Sequence, residues 1–498
     1  MSGSMHRKWN IFIHLVLITL VVLSLLATLG IFGSSFQVPD QLQRFFRREE
    51  SAQTTKPASA LNTAQSHEAP LHEVFSPNKL VVTEPNGPCM KSKNIDDMKV
   101  LTDLLFNISK DITDQALEER DLAGFRQQLT NQAYLDFEFS DLIPLTFLID
   151  TKEVEVTNDL SFDRLVFKKN EPDAMYVLNQ KAGKVYRLSV ARPKEVDHIL
   201  NYYEKNKDHF LAAAPLDLGN VRKYLLQDEL TVPALSYMVE RQPVPNFLRQ
   251  LFDSPESIHD YSDRDFQRYF SDDKSLLVNN QTQELVFNQD KRQDDVPKRN
   301  EAIQDSFRVL KNYQANVDSW KYVHYHEDDG SIEYRKFING LPVFGPYNVS
   351  KVHMLADSRH IFALNLSTLT IQTPLTPLSY DVKVMSGQEA WDTIEKSGLN
   401  TKEVEDIRLG YRWVKNEQSE SLIDLLPAWH IKIKGKWVML EQEVDMANFP
   451  DRQSERADNE RPLDLLKRAG SAGDSDSQLR PRESMMRRRQ WLGDRQEH

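Results

Sequence analysis

Hydrophobic positions along the chain fall into three regimes. Between Ile11 and Phe32 they are nearly continuous, as IFIHLVLITLVVLSLLATLGIF. Over 34–70, and again after Pro450, large apolar residues are sparse. Between His72 and Asn448 they alternate or recur at helical spacing, as surfaces that bury one face do.

The first regime reads as a transmembrane helix. About 20 apolar residues at 1.5 Å rise cross a bilayer core of roughly 30 Å. Trp9 sits where an aromatic side chain prefers the interface, with Arg7 and Lys8 before it. A cleaved signal peptide competes, but its apolar core would span only about 7–15 residues. The charges flanking the run do not decide its orientation. Residues 1–10 are too short for a domain, and a long downstream domain is exported largely regardless of charge. The reading is a cytoplasmic tip over 1–10, a helix over 11–32 and an extracytoplasmic body. Within the helix, His14 either reaches the headgroups or touches a partner helix. Ser24 with Thr28, and Gly30 with Ser34, form small-xxx-small pairs that let helices approach closely.

The middle regime reads as α+β, with mostly antiparallel sheets and packed helices, in three domains over 71–150, 151–300 and 301–450. A linker fills 33–70, and the charged tail 451–498 reads as disordered. Apolar spacing predicts a helix through Met98, Leu101, Leu104, Leu105 and Ile108. DFEFSDLIPLTFLI, VEVTNDLSFDRLVFKK, AMYVLN and KVYRLSV read as short strands, and PKEVDHILNYYEKNKDHFL and AIQDSFRVLKNY as helices. SLLVNNQTQELVFN predicts a hairpin around Asn279–Gln281, and WKYVHYHEDDGSIEYRKFING one that turns at Asp329–Gly330. Ser386 and Glu389 form a capping box; the helix after it buries Ala390, Trp391 and Ile394 and stops at Gly398. AWHIKIKGKWVML places Trp429, Ile431 and Ile433 on one face and turns at Gly435.

Charge and composition narrow the function. The 498 residues carry a net charge of −12. With the tail (+1) and the first 33 residues (+2) set aside, the body holds −15. That argues against nucleic acid as a partner, since phosphate binding needs a basic surface. One cysteine, Cys89, excludes an intrachain disulfide and cysteine-based metal sites, and suits a bacterial cell surface without a disulfide system. No P-loop, G-x-S-x-G, H-E-x-x-H or G-x-G-x-x-G motif occurs. The chain therefore offers no catalytic residue, no cofactor site and no metal site. The nearest approach to one is His324-Tyr325-His326-Glu327-Asp328-Asp329, where strand alternation puts both imidazoles on one face. The carboxylates after them sit where a hairpin turn wants polar residues.

YRKFINGLPVFG (Tyr334 to Gly345) and LPAWHIKIKGKWV (Leu426 to Val438) resemble the C-terminal half of the YycH (WalH) family. The order of tip, helix, linker and body agrees. The resemblance implies a non-enzymatic single-pass regulator of the WalK–WalR (YycG–YycF) two-component system, controlling cell-wall metabolism. Its implied partners are the sensor histidine kinase WalK, a YycI-like protein and the lipid bilayer. Its implied working element is the transmembrane helix. The alternative is an extracytoplasmic binding module for a cell-wall fragment or peptide, with Trp391, Trp429 and Trp437 either lining a groove or buried in the core.

Overall fold

The computed structural model describes residues 74–92, 98, 100–105, 118–148, 160–189, 194–290, 296–313, 319–375, 378–416 and 419–448. The run Ile11–Phe32 with His14, Ser24, Thr28, Gly30 and Ser34, the linker 33–70 and the tail 451–498 lie outside them. Among the described residues no helix is long and apolar enough to cross a membrane.

The strands gather into two sheets. The first uses β1 (Lys79–Thr83), β2 (Cys89–Ser92), β3 (Glu118–Asp121), β4 (Tyr134–Pro144), β5 (Ser161–Lys168), β6 (Ala174–Asn179), β7 (Lys184–Ser189), β8 (Phe210–Leu218) and β9 (Val221–Leu226). Their order is β3-β7-β6-β5-β4-β1-β2-β8-β9. Every pair is antiparallel.

The second sheet begins with the long β10 (Leu230–Arg241) and continues with β11 (His259–Asp260), β12 (Phe266–Phe270), β13 (Lys274–Asn279), β14 (Glu284–Gln289), β15 (Trp320–Tyr325), β16 (Ile332–Ile338), β17 (Leu341–Phe344), β18 (Lys351–Ala356), β19 (Ile361–Ser367), β20 (Leu369–Pro374), β21 (Tyr380–Val384), β22 (Val404–Lys415), β23 (Leu422–Ile433) and β24 (Lys436–Met439). Its main path is β11-β12-β13-β14-β19-β18-β16-β17-β22-β23-β10-β20; β15, β21 and β24 attach to β16, β10 and β23. One pair, β17 with β22, is parallel. The α+β reading with mostly antiparallel sheets therefore holds.

Local chemistry explains the turns. Lys434 and Gly435 both take positive φ between β23 and β24, as a two-residue hairpin turn requires. Asp329 accepts hydrogen bonds from the Ser331 amide and hydroxyl beside Gly330, closing the β15–β16 turn.

Six helices matter for packing: α1 (Leu122–Leu129), α2 (Lys194–Lys205), α3 (Val244–Leu251), α4 (Arg299–Tyr313), α5 (Gly387–Lys396) and α6 (Leu440–Asn448). The capping box of α5 is present: Ser386 Oγ accepts from the Glu389 amide at 3.1 Å, and Glu389 accepts from the Ser386 amide at 2.8 Å.

The largest core joins both sheets. Leu135, Phe137, Phe139, Leu165 and Phe167 of the first meet Val278, Phe287, Tyr322 and Leu364 of the second, with Ile199 of α2, Phe247 of α3 and Ile303 of α4. The predicted Met98, Leu101 and Leu105 are buried in it and Leu104 packs on it; Ile108 lies outside the described residues. A second core holds Trp391 and Ile394 of α5 with Ile407, Tyr411, Trp429 and Ile431. Trp391 is therefore a core residue, Trp429 is buried in the same core and also lines the cavity described below, and Trp437 packs on Phe344 at 5.2 Å.

Candidate functional site

β4 has two faces of opposite chemistry, and both are covered. Its odd positions, Leu135, Phe137 and Phe139, enter the large core. Its even positions carry Tyr134, Asp136, Glu138 and Ser140. Alternation of this kind ordinarily means a wet face. Here Asp136 and Glu138 are buried, because β9 and β22 close over them.

The result is an ionic layer between the sheets. Arg164 stands directly opposite Glu138 on β5, fully buried. It donates to Asp136 Oδ2 at 3.0 Å and to the Arg222 carbonyl, and lies over the Tyr224 ring at 5.5 Å. Tyr224 Oη also donates to Asp136 Oδ2, at 3.2 Å. From β9, Lys223 Nζ donates to Glu138 Oε1 at 3.1 Å and reaches Asp406 Oδ1 at 3.2 Å. From β22, Arg408 pairs with Asp406 at 2.8 Å and donates to the Ser140 carbonyl at 3.2 Å. Lys91 of β2 donates to the Tyr224 carbonyl at 2.8 Å and lies 3.7 Å from Glu138 Oε2.

Among the described residues the layer sets four cations, Lys91, Arg164, Lys223 and Arg408, against three carboxylates, Asp136, Glu138 and Asp406. Asp163 of β5 acts on Arg164 and Lys223 as a fourth carboxyl beside them. Burial pushes the Glu138 carboxyl up, but Lys223, Lys91, Arg164 and Arg408 outweigh it and hold it well below its ordinary range. Burial lowers the Lys91 amine, and Glu138 only partly offsets that. Burial drives the Tyr224 phenol well above its ordinary value, reinforced by Asp136 and Tyr134. Three polar atoms here have no hydrogen-bond partner, Glu138 Oε2, Asp136 Oδ1 and Arg164 Nε. Such atoms are costly in a low-dielectric interior.

A cavity of about 310 Å³ opens beside this layer. Lys79, Lys91, Lys223, Arg408 and Glu138 supply its charged lining. Leu225, Val232, Pro233, Ile407 and Tyr411 supply much of the apolar wall, and Trp429 also lines it. Mostly apolar walls with a few convergent polar groups are the usual make-up of a small-molecule site.

The histidines named from sequence lie elsewhere. His324 and His326 share a strand face as alternation requires, their rings 4.6 Å apart. His324 Nδ1 bonds Asp141 Oδ2 at 2.8 Å, tying β15 to β4, and His326 stacks on His353 at 5.1 Å. Among the described residues no three potential ligands converge on a metal position. Cys89 is free and half-buried at the start of β2, accepting from the Thr83 hydroxyl at 3.5 Å.

Sequence reasoning did not single out Lys91, Asp136, Glu138, Arg164, Lys223 or Arg408. The available signal was the polar half of YLDFEFS, met by EDIRL far down the chain.

Residues 221–445 match the family model described as the YycH protein, C-terminal domain. Among solved structures, the fold is similar to the crystal structure of YycH from Bacillus subtilis, with a TM-score of 0.62 and 18% identity. That match covers 75% of this chain and 97% of the other. No curated protein matches the sequence.

Proposed function

The chain belongs to the YycH family, and from that premise we propose that it is a non-enzymatic, membrane-anchored regulator of a sensor histidine kinase of the WalK (YycG) type. It acts with a YycI-like partner and governs cell-wall metabolism. The observation that carries this reading is a YycH C-terminal domain over 221–445, downstream of a single apolar run long enough to span a bilayer.

The run Ile11–Phe32 is the working element in this proposal, with the N-terminal tip in the cytoplasm and the body, in three domains over 71–150, 151–300 and 301–450, outside. A helix without charges shifts a kinase equilibrium only by packing differently against its two states. A coupling of about 1–3 kcal/mol gives a 5–150-fold effect, and close packing with one or two polar contacts in the bilayer supplies energy of that order. His14, Ser24, Thr28, Gly30 and Ser34 are the proposed contact positions.

The test is co-purification from solubilised membranes. The full chain is expected to retain the kinase, and Ser24→Leu or Thr28→Leu to weaken that retention. A chain that retains no kinase, with kinase-dependent transcription unchanged by its deletion, contradicts the proposal.

A further inference from the structure

One face of the second sheet is packed and the other is not. On β13, β14, β18 and β19, Leu276, Val278, Leu285, Phe287, Met354 and Leu364 enter the large core. The alternate positions point the other way and belong to no apolar cluster of the described residues. Antiparallel register aligns them into rows. Arg268, Leu277, Val286 and Asn365 lie side by side, as do Phe270, Ser275, Asn288, Ala363 and Leu355. An outward face ordinarily carries polar residues. This one carries Phe266, Phe270, Leu277, Val286, Leu355 and Ala363, all half-buried. At its edge Tyr261, 52% exposed, meets Phe270 edge-on at 5.8 Å. A contiguous apolar surface of this kind marks a contact face.

Charge selects the occupant. Residues 259–290 hold seven carboxylates against three cations, and one of the three, Lys274, is buried and pairs with Asp253 at 2.8 Å. Asp260, Asp263 and Asp265 follow the outer edge, on β11 and its turn into β12. Asp272, Asp273 and Asp290 gather at one end, where the Asp290 amide donates to the Asp273 carbonyl. All six are exposed. A second copy of the chain, or an anionic membrane, would set negative charge against negative charge here. The fitting occupant is basic and apolar together. Met485-Met486-Arg487-Arg488-Arg489-Gln490-Trp491-Leu492, outside the described residues, has three arginines, four large apolar side chains and no carboxylate. The linker's Arg44-Phe45-Phe46-Arg47-Arg48 has similar chemistry but runs at once into Glu49 and Glu50. Thirty-six residues separate Asn448 from Met485. They extend to at most about 120 Å, so reach is no obstacle. A tethered segment meets its face at about millimolar effective concentration, so weak contacts suffice.

We propose that the chain's own segment 485–492 docks on this outward face of the second sheet. Its arginines meet the acidic rim, and Trp491 and Leu492 meet the apolar rows beside Tyr261. The docking needs no kinase and stands apart from the regulatory reading.

The test is photo-crosslinking in the full chain, reconstituted in vesicles containing phosphatidylglycerol, with benzoylphenylalanine in place of Trp491. The expected product is a crosslink within one chain, mapped by mass spectrometry to residues 259–290 or 351–367. Arg487→Glu, Arg488→Glu and Arg489→Glu together should cut its yield at least about tenfold, because three attractions become three repulsions. Leu277→Lys, which puts a cation among the apolar rows, should also cut the yield while the melting temperature holds. If that variant fails to fold, the arginine variant, altered only in the tail, remains decisive. Crosslinks to a second copy, to lipid or to other parts of the body overturn the proposal. So does the absence of any product, or a yield unchanged by the arginine variant or by a folded Leu277→Lys.

Discussion

The two faces of β4 bury their residues by opposite physics. On the odd face Phe137 meets Phe167 edge-on at 6.1 Å, and Phe139 meets Phe162 at 5.1 Å. Each such ring removes apolar surface from water and is favourable wherever it is enclosed. On the even face, Asp136 and Glu138 gain only if Arg164, Lys223 and Arg408 arrive at the right places. Buried ion pairs roughly break even against apolar packing, and a half-made pair is destabilising. The apolar face therefore holds the sheets together, and the ionic face fixes how they are set against each other. The polar side is also the one that retains unsatisfied atoms and an open cavity.

The sharpest way to break this contrast uses paired substitutions. Phe137→Ala should cost about 3–5 kcal/mol, and adding Phe167→Ala should deepen the loss by enlarging the void. Arg164→Met should also cost about 3–5 kcal/mol, because it strands Asp136. There the second change should reverse the first: Arg164→Met with Asp136→Leu is expected to recover at least half the stability. Denaturant unfolding of the four variants checks it. Additive losses on both faces would remove the distinction.

Acid should separate the ionic face from the histidines of the second sheet. Burial lowers His353 to about 4, helped by His326 and Lys351, and lowers His430 to about 3. The unfolded chain protonates these imidazoles near 6.5. Below pH 6.5 the unfolded state holds more protons, so stability falls with pH until the folded imidazoles also charge, near 4 and 3. At pH 4.5 the loss is on the order of 2 kcal/mol per histidine. Glu138 titrates well below 4.5, so its contribution is present at pH 4.5 and is lost only as pH falls through that lower value. Melts at pH 7 and 4.5 should converge for His430→Phe and His353→Gln. A pH-independent difference in the histidine variants contradicts this.

Two smaller effects follow, the first on the strand that closes the ionic face. A Cβ at Gly410 of β22 would come within 2.6 Å of both the Pro342 carbonyl and the Phe344 ring. Gly410→Ala should therefore cost about 1–3 kcal/mol and shift the neighbouring Arg408. Ser386→Ala removes one cap bond of α5, away from the layer, and should cost about 1 kcal/mol. Both are read as shifts in melting temperature.

What was legible in the sequence was local. Ser386 and Glu389 announce a helix start within four residues, and Lys434-Gly435 a turn within two. The spacing of Ala390, Trp391 and Ile394 names a buried stripe without reference to the rest of the chain. His324 and His326 share a face because alternation alone puts them there. The ionic layer obeys no local rule. YLDFEFS reads as a strand, but nothing within it says that its polar side will be covered by residues near position 408, or that Lys223 will arrive from β9. Strands such as β8 and β10 also carry proline and few alternating large apolar residues, so their period was weak. The parallel contact of β17 with β22 was likewise invisible to hairpin reasoning.

The regulatory claim rests on where coupling energy is delivered, at membrane depth or in the body. The direct measurement is transcription of kinase-dependent genes in a deletion strain carrying residues 1–40 alone, residues 71–450 alone or the full chain, each at equal level. The account predicts partial activity from residues 1–40 and little from residues 71–450. Full activity from residues 71–450 with none from residues 1–40 would contradict it.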